Sequence, residues 1–208
     1  MDLLSIIPSC TLPLRLGLIA KRGFLVSNLD RSPVRLMHYD PSWRQEYAQT
    51  RSSLLYACEG WLAEIEHIGS TAIPGLIAQP TIDVIAAVSD EQDIDQAAFR
   101  IEGLNFKSSE LDASILLTKP RHLLEGQSEP THRVFLTVLG SPLWKSTIML
   151  RDYFLQSPEA AVQYEEVKML NWKRFKGDRE KYETAKLGYL THVSDQLQAK
   201  KTAPPSGS

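Results

Sequence analysis

One nearly uninterrupted apolar run, residues 81–88, constrains the fold more than any other part of the sequence, and Asp83 is its only charged residue. A run of this length without polar alternation is typical of a strand that is buried on both faces. A chain of 208 residues is long enough to build a core around such a strand in a single domain. The run therefore predicts an α/β (α+β) domain with a sheet at its centre.

The rest of the pattern places helices and shorter strands around this run. Asp40-Pro41 provides a cap and a first helical position, so a helix is predicted at 41–60, followed by a strand at 65–68. The other predicted elements are a helix from about 90 to 103, strands at 114–119 and 131–138, and helices at 143–156, 158–175 and 178–198. The predicted fold is a mixed sheet flanked by helices, with a helical C-terminal third.

The two ends of the chain differ in composition from the part between them. Residues 1–34 are basic and show no clear periodicity, so we predict a loose extension there. Residues 35–198 form the predicted domain, and residues 199–208, with their Pro-Pro-Ser-Gly-Ser end, are predicted to be a disordered tail.

Charge and cysteine content exclude several classes of function. The chain has 23 basic and 25 acidic residues, and this balance argues against binding to long nucleic acids. Two cysteines are too few for a disulfide framework or a cysteine-based zinc site, which favours a reducing compartment. Basic residues interrupt the most apolar stretch, so no membrane span is expected. We predict a cytoplasmic protein, with organelle targeting by residues 1–34 as the alternative.

The chemistry is predicted to lie between residues 66 and 83. Gly69 and Ser70 follow a short strand, and a glycine-serine pair at such a place lets backbone N–H groups and a small hydroxyl approach phosphate oxygens. Asp83 on the next strand could hold Mg²⁺ or Mn²⁺ between those phosphates. Arg133, Arg151 and Lys168 are candidates to neutralise phosphate charge. Spacing alone also allows Asp83 to be a structural group.

The segment resembles the GrpB family. The resemblance covers about residues 38–190 and is carried by Tyr39-Asp40-Pro41-x-Trp43, Glu66-His67-Ile68-Gly69-Ser70-Thr71-Ala72-Ile73-Pro74-Gly75-Leu76, Pro80-x-Ile82-Asp83 and Arg151-Asp152-Tyr153, followed by Pro158, Tyr164 and Lys168. It implies a nucleotidyltransferase-like fold in which the Gly-Ser loop and the strand with Asp83 face one cleft that the C-terminal helices close.

The resemblance implies roles for individual residues. Asp83 is the expected metal ligand, and it is the expected catalytic group together with His67 and Arg151. The expected nucleotide-binding residues are Gly69, Ser70, Thr71, His132, Arg133 and Lys168. The resemblance itself implies little about the substrate. The first hypothesis for the function is transfer of a nucleotidyl group from ATP, or another nucleoside triphosphate, to an unknown small-molecule acceptor with Mg²⁺.

Two departures from the wider superfamily weaken the case for a two-metal site. The superfamily has a second carboxylate two residues after the first, where this chain has Ile85, and a further carboxylate on a later strand that residues 131–138 lack. The alternative function is therefore a non-catalytic module that binds a nucleotide or another anionic metabolite. A third hypothesis is a different acyl or phosphoryl transfer with His67 or His132 as the base.

Glu66 and His67 are neighbours on a predicted strand, so their side chains point to opposite faces of the sheet. Only one of the two side chains can line the cleft, and we predict that it is His67.

Overall fold

The structure is a computed structural model that describes residues 33–111, 114–121 and 130–202, without the side chains of the last two residues. It contains five α-helices and five strands within these ranges. The helices are α1 (Ser42–Ala57), α2 (Ile94–Glu102), α3 (Pro142–Gln156), α4 (Pro158–Phe175) and α5 (Arg179–Thr202). The strands are β1 (Glu64–Ile68), β2 (Ile82–Val88), β3 (Lys107–Leu111), β4 (Ser114–Lys119) and β5 (His132–Val138).

The five strands form one mixed sheet in the order β1-β2-β5-β4-β3. Strand β2 lies near the middle, antiparallel to β1 and parallel to β5, and the other neighbours pair antiparallel. The register places Asp83 opposite Ile68 on one side and Arg133 on the other. The predicted mixed sheet flanked by helices, with a helical C-terminal third, is confirmed.

Alternation along the strands gives the sheet two faces with different surroundings. The covered face carries Val84 and Val134, which pack with residues of α1 and α2 in the main hydrophobic core. The other face, here called the site face, carries Asp83, Glu66 and Arg133 and meets α3 through Arg151. The charged residues Glu66, Asp83 and Arg133 thus lie on the side away from α1 and α2.

Local sequence signals explain where most of the helices begin. The Asp40 carboxylate accepts a hydrogen bond from the Ser42 N–H at 2.8 Å, which confirms the predicted cap. Ser141 and Ser157 cap α3 and α4, and each is followed by a proline in the first turn, where a missing N–H costs nothing.

Two elements differ from the sequence prediction. Strand β3 does not appear in the sequence prediction, because its sequence Lys-Ser-Ser-Glu-Leu has a single apolar residue. It lies at the edge of the sheet, where only Leu111 is buried, so no apolar alternation marks it. Helix α5 continues to Thr202 instead of ending at 198. Residues 1–32 of the predicted extension and 203–208 of the predicted tail lie outside the described residues.

The segment before α1 connects the sheet to the C-terminal helices. The Val34 N–H donates to the Gly177 carbonyl at 3.1 Å, and the Trp172 indole N–H donates to the Val34 carbonyl at 2.8 Å. Three residues later, Met37 pairs with Ala78 just before β2. This segment therefore fixes the α4–α5 turn relative to the chain that enters the central strand.

In the described part of the chain, no helix is long and apolar enough to cross a membrane.

Core packing on the covered face should dominate stability. Leu117 on β4 is fully buried there, whereas Leu170 on α4 is 65% exposed. We expect Leu117→Ala to lower the free energy of unfolding by about 2–4 kcal/mol, because it removes apolar contacts and leaves a cavity. Leu170→Ala, the matched control, should change it by less than about 0.5 kcal/mol. Urea denaturation followed by circular dichroism measures both, and equal effects would contradict this assignment of the core.

Candidate ligand site at the Gly-Ser loop

The loop after β1 is held close to the central strand by a glycine. Gly69 has φ +71°, a left-handed conformation that side chains disfavour, and a Cβ added to it would lie 2.6 Å from Asp83 Oδ2. Residues Ser70–Ala72 then form one 3₁₀ turn. The backbone of the loop thus contacts the carboxylate of β2 directly, a closeness that only glycine allows.

Asp83 forms a two-point ion pair with Arg133. Arg133 Nε donates to Asp83 Oδ1 at 2.6 Å and Nη2 donates to Oδ2 at 2.9 Å, so both carboxylate oxygens accept from one guanidinium. Only 15% of the Asp83 side chain and 25% of the Arg133 side chain are exposed. In such a half-buried pair, removal of either partner leaves a charge that is neither paired nor fully hydrated.

A second guanidinium–carboxylate cluster lies beside the first on the site face. Arg151 on α3 donates to Glu66 on β1, and its Nε donates to Asp152 Oδ1 at 2.9 Å. Burial alone would lower the pKa of Arg151, but the hydrogen bonds to Asp152 and Glu66 raise it overall. Arg151 therefore joins α3 to the edge of the sheet.

Lys168 is buried behind the loop and connects it to α4. Its Nζ donates to Ser70 Oγ at 2.6 Å and to the Ile77 carbonyl, and it lies 4.6 Å from the ring centre of Tyr164, one turn earlier on the helix. Glu165 accepts a hydrogen bond from the Ile77 N–H at 2.9 Å. Glu165 and Lys168 of α4 thus form hydrogen bonds with the backbone N–H and the carbonyl of Ile77, respectively.

The surroundings of Lys168 make its charge sensitive to pH. Burial, together with Lys186 on α5, lowers the pKa of Lys168 to about 7 against the opposing effects of Glu165, Glu183 and Asp83. The charge of Lys168 is therefore easier to lose than that of an exposed lysine.

His67 lies on the covered face, where its register partner is Val84. Its ring stacks on Tyr47 of α1 with centroids 4.6 Å apart, and its Nε2 is 3.1 Å from Thr71 Oγ1. Since Thr71 already donates to the Thr81 carbonyl, the histidine N–H must be the donor in this contact. Burial lowers the pKa of His67 to about 4, so the ring is neutral at pH 7.

His132 also lies on the covered face, at the start of β5. It lines a cleft of about 520 Å³ between α1 and the loop after α2, together with Glu46, Asn105 and Lys119. Burial lowers the pKa of His132 to about 4, with a smaller contribution from Lys119. This cleft is on the opposite side of the sheet from the Asp83 carboxylate.

The structure thus brings together some of the predicted residues and separates others. Asp83, Arg133 and Arg151 share the site face, and Gly69, Ser70 and Lys168 lie at its edge, whereas Thr71, His67 and His132 do not face it. Glu66, not His67, lies on the face with Asp83. The roles assigned to these residues stay predictions.

Glu165 is not among the site residues predicted from the sequence. The signal was present, because Glu165 lies three residues before Lys168, a spacing that places both on one side of a helix.

The donor set on the site face does not fit a divalent cation. Both oxygens of Asp83 are occupied by Arg133, and the position two residues later on the same face is the fully buried Ile85. In the described ranges no group of three or more His, Cys, Asp or Glu side chains could hold a metal ion. Mg²⁺ is commonly held by one or two carboxylates together with substrate phosphates. Here Asp83 is paired with Arg133, and Glu66 and Asp152 share Arg151, so a cation would have to compete with an arginine at each carboxylate.

The comparison with protein families assigns the chain. The family model described as GrpB protein matches residues 33–196. The chain belongs to the GrpB family. This confirms the resemblance seen in the sequence, and the match spans all five strands and nearly all of the C-terminal helices of this GrpB domain.

Two curated relatives each match about three quarters of this chain. A UPF0157 protein of Pseudomonas aeruginosa is 28% identical over 162 residues, which are 77% of this chain and 66% of the relative. A dephospho-CoA kinase of Mycobacterium tuberculosis is 28% identical over 179 residues, which are 75% of this chain but 44% of the relative. The chain thus spans about two thirds of the first relative and less than half of the second.

A solved GrpB structure shares the fold. The conserved protein GrpB from Enterococcus faecalis superimposes with a TM-score of 0.66 at 20% identity, covering 79% of this chain and 99% of the other. Cid1, described as an RNA terminal uridylyl transferase, reaches a TM-score of only 0.44 at 16% identity, too weak a likeness to bear on function.

The contact between Gly69 and Asp83 can be tested with a matched glycine. Gly75 also has positive φ, +82°, but a Cβ there would meet no atom within 4 Å. We expect Gly75→Ala to cost about 1 kcal/mol of unfolding free energy through backbone strain alone. Gly69→Ala should cost about 2–4 kcal/mol, because the methyl group must also displace the Asp83 carboxylate. Equal costs in urea denaturation would show that the loop does not press on Asp83.

The low pKa of His67 predicts acid sensitivity. The unfolded chain takes up a proton near the ordinary value of 6.5, whereas the folded ring resists protonation until about 4. His67 therefore contributes stability above pH 6.5 that is lost as the pH falls from 6.5 towards 4. We expect His67→Phe, which keeps a ring against Tyr47, to lose less unfolding free energy than the wild type between about pH 7.5 and 5.

Chemical denaturation at both pH values measures this loss. The matched control is His192→Gln, because His192 is exposed on α5 and should behave as the wild type. An unchanged pH dependence in His67→Phe would contradict the buried neutral histidine.

Proposed function

We propose that this GrpB domain is a binding module for a nucleotide or another anionic metabolite, and that it binds this ligand at the Gly69–Ser70 loop without a divalent cation. The observation that carries the proposal is the two-point pairing of Asp83 with Arg133 next to Gly69. An unpaired carboxylate there would repel a phosphate, and Arg133 removes this repulsion in the way that a metal ion would elsewhere.

The charge balance of the site face supports binding without a metal. Each carboxylate of the site face is paired with an arginine: Asp83 with Arg133, and both Glu66 and Asp152 with Arg151. A carboxylate that serves as a Mg²⁺ ligand needs lone pairs directed at the ion, and here the carboxylates direct oxygens at arginines instead. A ligand of low negative charge therefore suits this face better than a metal complex does.

The loop itself supplies the polar backbone for such a ligand. Gly69 is exposed and lacks a side chain, so a phosphate oxygen can approach its backbone closely. Lys168 holds Ser70 from behind, which fixes the position of the loop before the ligand arrives. A loop fixed in advance loses less conformational entropy on binding.

Nucleotidyl transfer to a small-molecule acceptor with Mg²⁺ is the second candidate. The contact between Gly69 and the Asp83 carboxylate favours it, because phosphate binding and the candidate metal ligand would lie next to each other. The two candidates predict opposite behaviour of Asp83, and one set of titrations separates them.

The test is calorimetric titration with ATP and with AMP, in EDTA and in Mg²⁺, on the wild type and on the Asp83→Asn and Arg133→Gln variants. The proposed module binds at least one nucleotide equally in EDTA and in Mg²⁺, within about threefold. Asp83→Asn keeps this affinity, because it removes a negative charge. Arg133→Gln lowers it about tenfold or more, because it leaves the Asp83 charge unpaired.

The control is Arg100→Gln, which removes an exposed arginine stacked on Trp61 of the covered side. It should leave affinity unchanged, and circular dichroism checks that each variant is folded. Binding that requires Mg²⁺ and disappears in Asp83→Asn would favour transfer instead. Absence of binding to either nucleotide would contradict both candidates for this ligand class, and dephospho-CoA, suggested by the name of the mycobacterial relative, is the next probe.

A further inference from the structure

We propose that Arg133 is the residue that determines cation selectivity at this site, because its guanidinium fills the coordination space of the Asp83 carboxylate and excludes a divalent cation. This inference rests on the proposed function in one respect, the absence of a metal requirement, but its test uses the cation alone. Failure of nucleotide binding and failure of this inference are therefore observed separately.

The register of the sheet places Arg133 where it can act in this way. Asp83 and Arg133 are direct partners on parallel strands, so their side chains project from the same face. Adjacent strands lie about 5 Å apart, which puts the ends of two short side chains at these positions within reach of one common ion. Two carboxylates here could share a cation at ligand distances of about 2 Å. The arginine occupies that space with its own positive charge.

The geometry of the pair makes the exclusion strong. Each Asp83 oxygen accepts a charge-assisted hydrogen bond, so a cation that takes the lone pairs directed at Arg133 must break one or both of these bonds. The displaced guanidinium would then lie beside the cation and repel it. Neither cost arises if position 133 carries a carboxylate.

Glu66 does not provide a way around this exclusion. Glu66 is on the same face as Asp83, on the neighbouring strand β1, where it lies opposite Ile85. Its carboxylate is already paired with Arg151. Arg151 is in turn bonded to Asp152. Two carboxylate–guanidinium pairs thus lie side by side on the site face, and each carboxylate is neutralised by an arginine from another element.

The test is a gain of metal binding. Mn²⁺ is titrated into the wild type and the Arg133→Asp variant, with free Mn²⁺ measured by electron paramagnetic resonance. We expect Arg133→Asp to bind Mn²⁺ about tenfold or more tightly than the wild type. Adding Asp83→Asn to the Arg133→Asp variant should abolish the gain, which locates the new site at these two positions.

A matched control adds the same charge without removing the arginine. Thr118 on β4 is the partner of Arg133 on its other side and projects from the same face. Thr118→Asp should gain no Mn²⁺ affinity comparable with that of Arg133→Asp, because the Asp83–Arg133 pair stays intact. An equal gain would show that the number of carboxylates matters and Arg133 does not, and would overturn the proposal.

Two carboxylates side by side could prevent the Arg133→Asp variant from folding without metal. In that case Mn²⁺ should restore its circular dichroism signal, and Mg²⁺ serves as a second cation. Arg133→Gln, which removes the guanidinium and adds no charge, should bind Mn²⁺ more tightly than the wild type. The proposal is overturned if the wild type binds Mn²⁺ at a site that Asp83→Asn abolishes. It is also overturned if Arg133→Gln gains nothing and Arg133→Asp neither gains affinity nor refolds with the ion.

Discussion

The arrangement of the site face depends on the ion pair between Asp83 and Arg133. A carboxylate near the start of a central strand is difficult to bury, and this one is tolerated because a guanidinium from the neighbouring strand meets both of its oxygens. The pair also limits how the preceding loop can run, since the Gly69 backbone packs against the same carboxylate. Strand register, loop conformation and charge balance are therefore linked through one contact.

Sequence patterns predicted the elements that have strong apolar content. The run at 81–88, the strands at 114–119 and 131–138 and the three C-terminal helices all agree with the structure within a few residues at their ends. These elements are specified locally, by burial on both faces or by a proline and a capping residue at the helix start. Strand β3 could not be predicted from its own sequence, because it is stabilised by pairing with β4 and not by a local apolar pattern.

The site was harder to predict because its geometry depends on pairing between distant segments. The sequence named Asp83 and Arg133 as candidates but gave no indication that they face each other, since they are separated by 50 residues and only the parallel register joins them. Period-two alternation correctly placed Glu66 and His67 on opposite faces. It could not identify the site face, because that depends on where α1 packs, and α1 covers His67.

The hydrogen bonds between α4 and Ile77 make the C-terminal helices inseparable from the rest of the domain. Glu165 accepts a hydrogen bond from the backbone N–H of Ile77, and Lys168 donates to its carbonyl and to the Ser70 hydroxyl. The conformation of the loop therefore depends on a helix that follows it by about ninety residues. The C-terminal helices are thus part of the site's scaffold and cannot be removed as a separable lid. A displacement of α4 would therefore move the loop as well, because Glu165 and Lys168 connect the two.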